Sequence, residues 1–324
     1  MSDRAASDSD PRSGAEENLF ATVLRPLAPQ EFLEATWEAR PRFIPASVDK
    51  LAHLAMDRGV FERAVAAAEP GYLKSASPSA ATGESTYAII DAADAWTSFD
   101  SGMTLCVTAI DNEVPTLRRL ALDATRLLHL AGGAHCNCYM SPRGEGFGIH
   151  FDTQSIFLVQ LEGSKRWKYG RRPAALFPRE PADGSPSRRL KEYRERFPWL
   201  RVTDLDESEF EDCELNPGDV LYLPPGTWHQ GRAGDYSLAV TLTCPTLSFS
   251  ALLAGVLDDQ LFQTLPWRRN LPAALSGQSK GESTALMQAF SQARMVEFHH
   301  AVSQLSPASL AAAWQSRLDD EHLI

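Results

Sequence analysis

The stretch GIHFDTQSIFLVQLEGSKRWKYG, residues 148–170, decides the fold of this chain. His150 and Asp152 stand one residue apart at its start, ahead of the apolar run 156–161 and a Gly-Ser-Lys sequence that predicts a turn. Because alternate residues of a β-strand point to the same face, His150 and Asp152 would project together while Phe151 projects away. The pattern therefore predicts two ligand-type side chains on one face of an otherwise apolar strand.

A third ligand of the same kind follows in NPGDVLYLPPGTWHQG, residues 216–231. Here a Pro-Gly turn, a strand over 219–223 and a rigid Pro-Pro-Gly turn precede His229. In an antiparallel barrel, the second turn can lie beside the strand that carries His150 and Asp152. Two histidines and one carboxylate leave open positions on a metal and suit non-haem Fe(II) oxygenases. Zinc accepts the same ligands, so these residues alone leave the metal open.

Lys165 follows His150 by fifteen residues. A lysine at the interior of a barrel needs an anion, because an unpaired buried charge is unfavourable. A dicarboxylic co-substrate would provide that anion, chelating the metal with one end and pairing with Lys165 at the other. The alternative is a solvent-facing turn lysine, the usual environment of this residue type.

Composition excludes several classes of protein. The 324 residues contain 31 Lys and Arg against 42 Asp and Glu, a net charge of −11 that argues against direct nucleic-acid binding. We find no apolar run long enough to span a membrane. The five cysteines include one close pair and no second pair, so they predict the reduced thiols of a cytoplasmic protein, with no structural zinc site.

The chain divides by pattern into a polar tail (1–18) predicted to be disordered, a domain over 19–245, and a helical region over 246–324. Short strands broken by Gly and Pro between 134 and 245 predict an antiparallel barrel or sandwich. The stretch 171–200 is too long for a barrel turn and reads as an insertion with a basic helix. That helix presents either a solvated basic face or a lid that recognises an acidic substrate.

The segment NCYMSPRGEGFGIHFDTQSIFLVQLEGSKRWKYG (137–170), joined to GDVLYLPPGTWHQG (218–231), resembles the JmjC-type cupin oxygenases. The resemblance is closest to the branch that contains the ribosomal oxygenases. It implies a mostly β core, a double-stranded β-helix of the jelly-roll or cupin type, with helical support before it and a helical region after it. It also implies Fe(II) and 2-oxoglutarate as cofactor and co-substrate. The residues it implies are His150, Asp152 and His229 as iron ligands, Lys165 for the distal carboxylate of 2-oxoglutarate, and Asn137, Tyr139, Ser237 and Thr241 as further contacts to that co-substrate.

The resemblance implies a hydroxylase of an amino-acid side chain in a protein, peptide or small molecule, which releases succinate and CO₂. It further implies a homodimer formed through the C-terminal helices. Demethylation uses the same hydroxylation step and ranks lower, because no cage for a methylated lysine is evident. A non-catalytic metal-binding cupin, or a zinc or manganese cupin, is the alternative class. The intact ligand set together with Lys165 favours the oxygenase.

Overall fold

The computed structural model describes residues 17–47, 50–78, 85–183, 188–204, 207–272 and 279–319. The predicted disordered tail lies almost wholly outside these residues. The chain falls into two compact units, one that ends at Pro245 and one over Thr246–Leu323. Among the described residues, every helix is too short or too polar to cross a lipid bilayer.

In the first unit, short helices surround a large antiparallel sheet. Its described elements, in chain order, are α1 (Leu19–Leu24), α2 (Pro29–Ala35), β1 (Arg42–Ile44), α3 (Arg58–Ala67), β2 (Leu73–Pro78), β3 (Ser85–Ile89), α4 (Ala95–Asp100), β4 (Thr104–Val107), α5 (Pro115–Leu128), β5 (His135–Pro142), β6 (His150–Phe151), β7 (Ser155–Gly170), β8 (Ala182–Asp183), α6 (Arg188–Arg196), β9 (Phe210–Leu215), β10 (Val220–Leu223) and β11 (His229–Cys244).

The strands pair in the order β1-β10-β7-β11-β5-β4-β2-β3, with β9 beside β7 and β6 joining β11 to β8. Every pair is antiparallel, and within the described residues the path is open at both ends. This is the arrangement of a jelly-roll, in which neighbouring strands are distant in sequence. The predicted mostly β core with helical support is confirmed.

The long strands β7 and β11 correct one prediction. β7 runs without a break from Ser155 to Gly170, so the predicted Gly-Ser-Lys turn is wrong. Gly163 instead marks an irregularity where the register between the two strands shifts. It has a φ of +64°, and a Cβ there would lie 2.0 Å from the carbonyl oxygen of Tyr236. Only glycine fits that approach, and the bulge lets the chain continue as a strand through Lys165.

Strand β5 has two different faces. One packs in the main hydrophobic core, and the other, which carries Tyr139 and Ser141, is called the functional face below. Its even-numbered residues, among them Cys136 and Met140, lie in the main hydrophobic core with residues of α1, α3 and α5. Its odd-numbered residues, among them Tyr139 and Ser141, lie on the other face, as the alternation of a strand requires. The ladder extends this division to β11, where Thr241 pairs with Asn137.

The insertion 171–200 is more than a surface loop. Its strand β8 pairs with β6, the short strand that carries His150. Tyr193 and Phe197 of the insertion are buried in a second apolar cluster. Two of the basic side chains of α6 form ion pairs, Arg194 with Asp204 at 2.6 Å and Arg196 with Glu180 at 2.7 Å.

The second unit is helical, as the sequence predicts. It contains α7 (Phe249–Phe262), α8 (Leu265–Arg268), α9 (Lys280–Ser303) and α10 (Pro307–Leu318). α9 begins with a capping box, in which Ser279 and Glu282 bond each other's backbone N–H groups. Several large apolar side chains of this unit are exposed, including Phe249, Phe262, Val296 and Trp314.

Candidate metal centre

The three predicted ligands meet at the junction of β6 and β11. His150 is the first residue of β6, Asp152 follows that strand, and His229 is the first residue of β11. His150 and His229 are direct partners in the ladder, with ring centroids 4.2 Å apart. One donor atom from each of the three side chains lies within 4.8 Å of the others. The Pro-Pro-Gly turn therefore brings His229 beside the His-x-Asp segment.

Backbone hydrogen bonds orient both imidazoles. Nδ1 of His150 lies 2.8 Å from the carbonyl oxygen of Gly148, and Nδ1 of His229 lies 2.9 Å from that of Thr227. A carbonyl oxygen only accepts, so each Nδ1 carries a proton, and Nε2 is the nitrogen that presents a lone pair when the ring is neutral. Nε2 of His229 lies 3.6 Å from Oδ2 of Asp152. This is the tautomer and orientation that metal-binding histidines adopt.

Burial keeps His229 neutral. Its side chain is almost completely enclosed, and this enclosure lowers the pKa of its imidazole. The nearby His150 lowers the pKa further, whereas Asp152 and the hydrogen bond to Thr227 oppose the shift. His150 and Asp152 are only half-buried, so one side of the centre is open to a ligand.

Lys165 is a buried cation without a matching anion. It is 2% exposed, and no carboxylate of the described residues lies within ion-pair distance of its ammonium group. Its Nζ donates to Oγ of Ser141 at 3.4 Å, and that hydroxyl accepts from Thr104 at 3.0 Å. Burial lowers the pKa of Lys165 to about 8, and the positive charge of Arg232 acts in the same direction. Such a group fits a site for an anionic ligand.

Two aromatic rings lie close both to Lys165 and to one of the histidines. Nζ of Lys165 is 5.2 Å from the centroid of Trp167 and 5.7 Å from that of Phe147. The ring of Trp167 is 6.0 Å from that of His229, and the ring of Phe147 is 6.3 Å from that of His150. The cation and the three ligands thus line one region of the interior.

The other predicted co-substrate residues differ in their environments. Tyr139 packs edge-to-face on Phe147 at 5.4 Å, and burial raises the pKa of its hydroxyl. Asn137 shares its face, but its side-chain oxygen accepts from the backbone N–H of Ala109 at 3.0 Å. Tyr139 therefore lies beside the centre, whereas the oxygen of Asn137 holds a neighbouring loop.

Ser237 and Thr241 of β11 were also predicted to contact the co-substrate. Ser237 is buried and accepts from Nε2 of Gln160 at 3.0 Å. It pairs with Ser141 in the ladder, and Thr241 pairs with Asn137. Both side chains lie on the functional face of the sheet, and within the described residues neither of them hydrogen-bonds to any of the three ligands.

Sequence reasoning missed Ser141, Phe147 and Gly231. Ser141 continues the alternation of Asn137 and Tyr139 along β5, so the period of the strand was a usable signal. Gly231 leaves space for the site, since a Cβ there would lie 2.9 Å from both Cε of Lys165 and the ring of Trp167. That close approach depends on the register between β7 and β11, which the sequence does not reveal.

The donor set fits a divalent transition metal with open coordination positions. Two neutral imidazoles and one carboxylate supply three ligands, and this is the one such group in the described part of the chain. Three ligands on one side suit non-haem Fe(II), and the unpaired ammonium of Lys165 suits a dicarboxylate beside it.

Comparison with known proteins agrees with the predicted resemblance. The family model described as JmjC domain matches residues 124–252, which include the three predicted ligands and Lys165. This part of the chain is therefore similar to a JmjC domain, as its motifs predict.

Individual relatives match a longer part of the chain than the family model does. The uncharacterized protein YxbC of Bacillus subtilis is 24% identical over 286 residues, 84% of this chain and 83% of that protein. The bifunctional lysine-specific demethylase and histidyl-hydroxylase NO66 of Drosophila persimilis is 29% identical over 185 residues, 55% of this chain and 24% of NO66. This chain thus matches about a quarter of the NO66 relative's length.

Solved structures show the same fold. The ribosomal oxygenase YcfD of Escherichia coli, in complex with cobalt and 2-oxoglutarate, has a TM-score of 0.54 at 18% identity. The match covers 90% of this chain and 71% of YcfD. At this identity the likeness shows the fold alone, and the predicted jelly-roll or cupin fold is confirmed.

Proposed function

We propose that the protein is an Fe(II)- and 2-oxoglutarate-dependent oxygenase that hydroxylates an amino-acid side chain in a protein, peptide or small molecule. The observation that carries this proposal is the convergence of His150, Asp152 and His229, with donor atoms within 4.8 Å of one another. The second support is Lys165, a buried cation without a carboxylate partner among the described residues. A simple metal-binding cupin needs no such cation.

Each residue would have a distinct role. His150, Asp152 and His229 would hold Fe(II), and the backbone carbonyls of Gly148 and Thr227 fix the two imidazoles through Nδ1. The ammonium group of Lys165 would bind the far carboxylate of 2-oxoglutarate. When bound, the iron and 2-oxoglutarate would use O₂ as the oxidant: one oxygen atom would enter succinate, released with CO₂, and the other would enter the substrate.

The aromatic and hydroxyl groups around the centre would orient the co-substrate. Phe147 and Trp167 present ring faces to Lys165, which excludes water from the ammonium group and strengthens its attraction to a carboxylate. Ser141 would hold the ammonium in place through its hydroxyl. The half-buried sides of His150 and Asp152 leave an opening through which a substrate side chain can approach.

The proposal also concerns the kind of substrate. Similar proteins include a histidyl-hydroxylase and a ribosomal oxygenase, which supports a protein side chain as the target. The same relative is also named a lysine-specific demethylase. Mass spectrometry of candidate peptides after incubation would detect the gain of one oxygen atom for hydroxylation, or the loss of a methyl group for demethylation.

The binding experiment does not need the substrate. Anaerobic addition of Fe(II) and 2-oxoglutarate should give a weak visible charge-transfer band with the wild type. His150→Ala and Asp152→Ala should abolish the band, and in a separate assay with O₂ and substrate they should abolish the release of succinate. His53→Ala removes an exposed histidine outside the centre and should leave both unchanged. A wild-type protein that binds Fe(II) without any band on addition of 2-oxoglutarate would contradict the proposal.

We also propose that the protein is a homodimer formed through the helices of the second unit. The support is the exposed apolar side chains of that unit, among them Val296 at 73% exposure and Phe249 at 65%. Light scattering should then give twice the mass of the chain, and Val296→Glu should reduce it toward that of a monomer. A cytoplasmic location and the absence of direct nucleic-acid binding remain predictions from composition.

A further inference from the structure

The residues that alternate with the proposed ligands form their own contact behind the metal centre. Phe151 stands between His150 and Asp152, and Trp228 directly precedes His229. Both are buried, at 0% and 2% exposure, and their rings pack edge-to-face with centroids 4.7 Å apart. The two segments that carry the ligands are therefore joined by one aromatic pair on the side away from the metal.

Residues of the insertion 171–200 enclose this aromatic pair. The ring of Tyr193 in α6 packs perpendicular to that of Phe151 at 5.7 Å, and Phe197 packs on Tyr193 at 4.9 Å. All of them belong to one buried cluster, which also contains Ala174, Ala175 and Ala182 of the insertion. The apolar support behind the ligands is thus built mainly from the insertion.

Backbone hydrogen bonds connect the same segments. Asp183 of β8 pairs with His150 of β6. The N–H of Ala174 donates to the carbonyl oxygen of Gly226 at 2.8 Å, and the N–H of Gly226 donates to that of Asp152 at 2.8 Å. The insertion is therefore bonded directly to the His-x-Asp strand and to the turn that presents His229.

Strand β6 has little other support. It contains two residues, and a single residue pair, His150 with His229, links it to β11. A strand this short is poorly held by its own hydrogen bonds, so its position depends on tertiary packing. Arg194 and Arg196 form ion pairs with residues on either side of α6 in the sequence, but these pairs are largely exposed and contribute little, so the buried rings of the insertion are the main support of β6.

We propose that the insertion positions the metal ligands, with Tyr193 and Phe197 acting as positioning residues through Phe151. This inference rests on the proposed function for the identity of the bound metal. It assigns the insertion a role in metal affinity, distinct from recognition of an acidic substrate by its basic side chains. Loss of the Tyr193 ring would let β6 move, so that His150 and Asp152 would no longer be held in one position.

The test is the affinity of the full-length apoprotein for Co(II), followed through its visible d–d absorption. Tyr193→Ala should raise the Co(II) dissociation constant about tenfold or more, the scale seen when groups that orient metal ligands are lost. Tyr193→Phe should restore wild-type affinity, because it keeps the ring and removes only the hydroxyl that bonds the carbonyl oxygen of Glu180 at 3.2 Å. Phe197→Leu gives the same test in a milder form, should Tyr193→Ala fail to fold.

The matched control is Phe61→Ala, which removes an equally buried aromatic ring from the main core. It should lower the melting temperature and leave the Co(II) affinity unchanged. Wild-type affinity in both Tyr193→Ala and Phe197→Leu would overturn the inference, as would equal weakening by Phe61→Ala. Failure of the proposed function would look different, since the wild type would then give no charge-transfer band with Fe(II) and 2-oxoglutarate, while Tyr193→Ala would still weaken Co(II) binding.

Discussion

Replacing Lys165 with methionine should make the protein more stable and its co-substrate binding weaker. Burial lowers the pKa of this lysine from its ordinary value of 10.5 to about 8. At about 1.4 kcal/mol for each tenfold change in proton affinity, the buried charge costs about 3 kcal/mol of folding free energy at neutral pH. Contacts with the faces of Phe147 and Trp167 offset part of this cost. We therefore expect Lys165→Met to stabilise the apoprotein by about 1–3 kcal/mol.

The pH dependence of this gain has a defined sign. Between pH 8 and 10.5 the unfolded chain keeps the proton on Lys165 while the folded protein releases it. Stability rises with pH wherever the unfolded state holds more protons, so the wild type should gain stability across this window. Lys165→Met lacks the group and should not show that gain. The stability difference between the two proteins should be largest below pH 8 and should shrink above it.

Co-substrate binding should change in the opposite direction. Loss of a charge-assisted contact in a water-poor site is worth about 3 kcal/mol, which corresponds to about a hundredfold weaker binding of 2-oxoglutarate. Urea unfolding at pH 7 and pH 10 measures the first effect, and anaerobic titration of the Fe(II) complex with 2-oxoglutarate measures the second. Lys168→Met, an exposed lysine on the same strand, is the matched control and should change neither. A less stable Lys165→Met protein with unchanged 2-oxoglutarate affinity would refute the reasoning.

The remaining predictions concern glycine and serine positions around the site. Gly231→Ala should weaken 2-oxoglutarate binding by about tenfold or more in the same titration, because its Cβ would lie 2.9 Å from Lys165 and from a bulky ring. Gly226→Ala should destabilise the fold by about 3 kcal/mol or more, since φ is +77° and the Cβ would lie 1.8 Å from a carbonyl oxygen. Gly144→Ala is its control in urea unfolding, with a similar φ of +75° but no atom within 4 Å, and should cost only about 1 kcal/mol. Ser141→Ala should weaken 2-oxoglutarate binding by less than Lys165→Met does, and an unchanged affinity would remove Ser141 from the site.

Local patterns in the sequence were enough to predict the centre, because its geometry follows from short-range rules. The alternation of a strand places His150 and Asp152 together, and a Pro-Pro-Gly turn presents His229 at the start of the next strand. The three side chains do meet in the structure. Their roles as iron ligands stay a prediction until binding is measured.

Features that depend on cross-strand register were not predictable in the same way. Gly163 reads locally as a turn residue, but it pairs with Ser237 beside an irregularity in β11, where the carbonyl oxygen of Tyr236 approaches it too closely for any side chain. The packing of Tyr193 against Phe151 joins residues 42 positions apart in the sequence, and nothing in the basic pattern of α6 indicates it. Contacts of this kind join residues that are distant in the sequence, so local patterns could not predict them.

One physical effect, burial, acts in opposite ways on the two halves of this site. At His229, enclosure lowers the pKa of the imidazole, so the ring is neutral at physiological pH and can bind a metal without first releasing a proton. At Lys165, the same effect favours the neutral amine, although an anion is attracted only by the charged form. A dianionic ligand would stabilise the charged form of Lys165 and raise its pKa again. The proposed co-substrate is therefore the component that makes the burial of both residues compatible with one function.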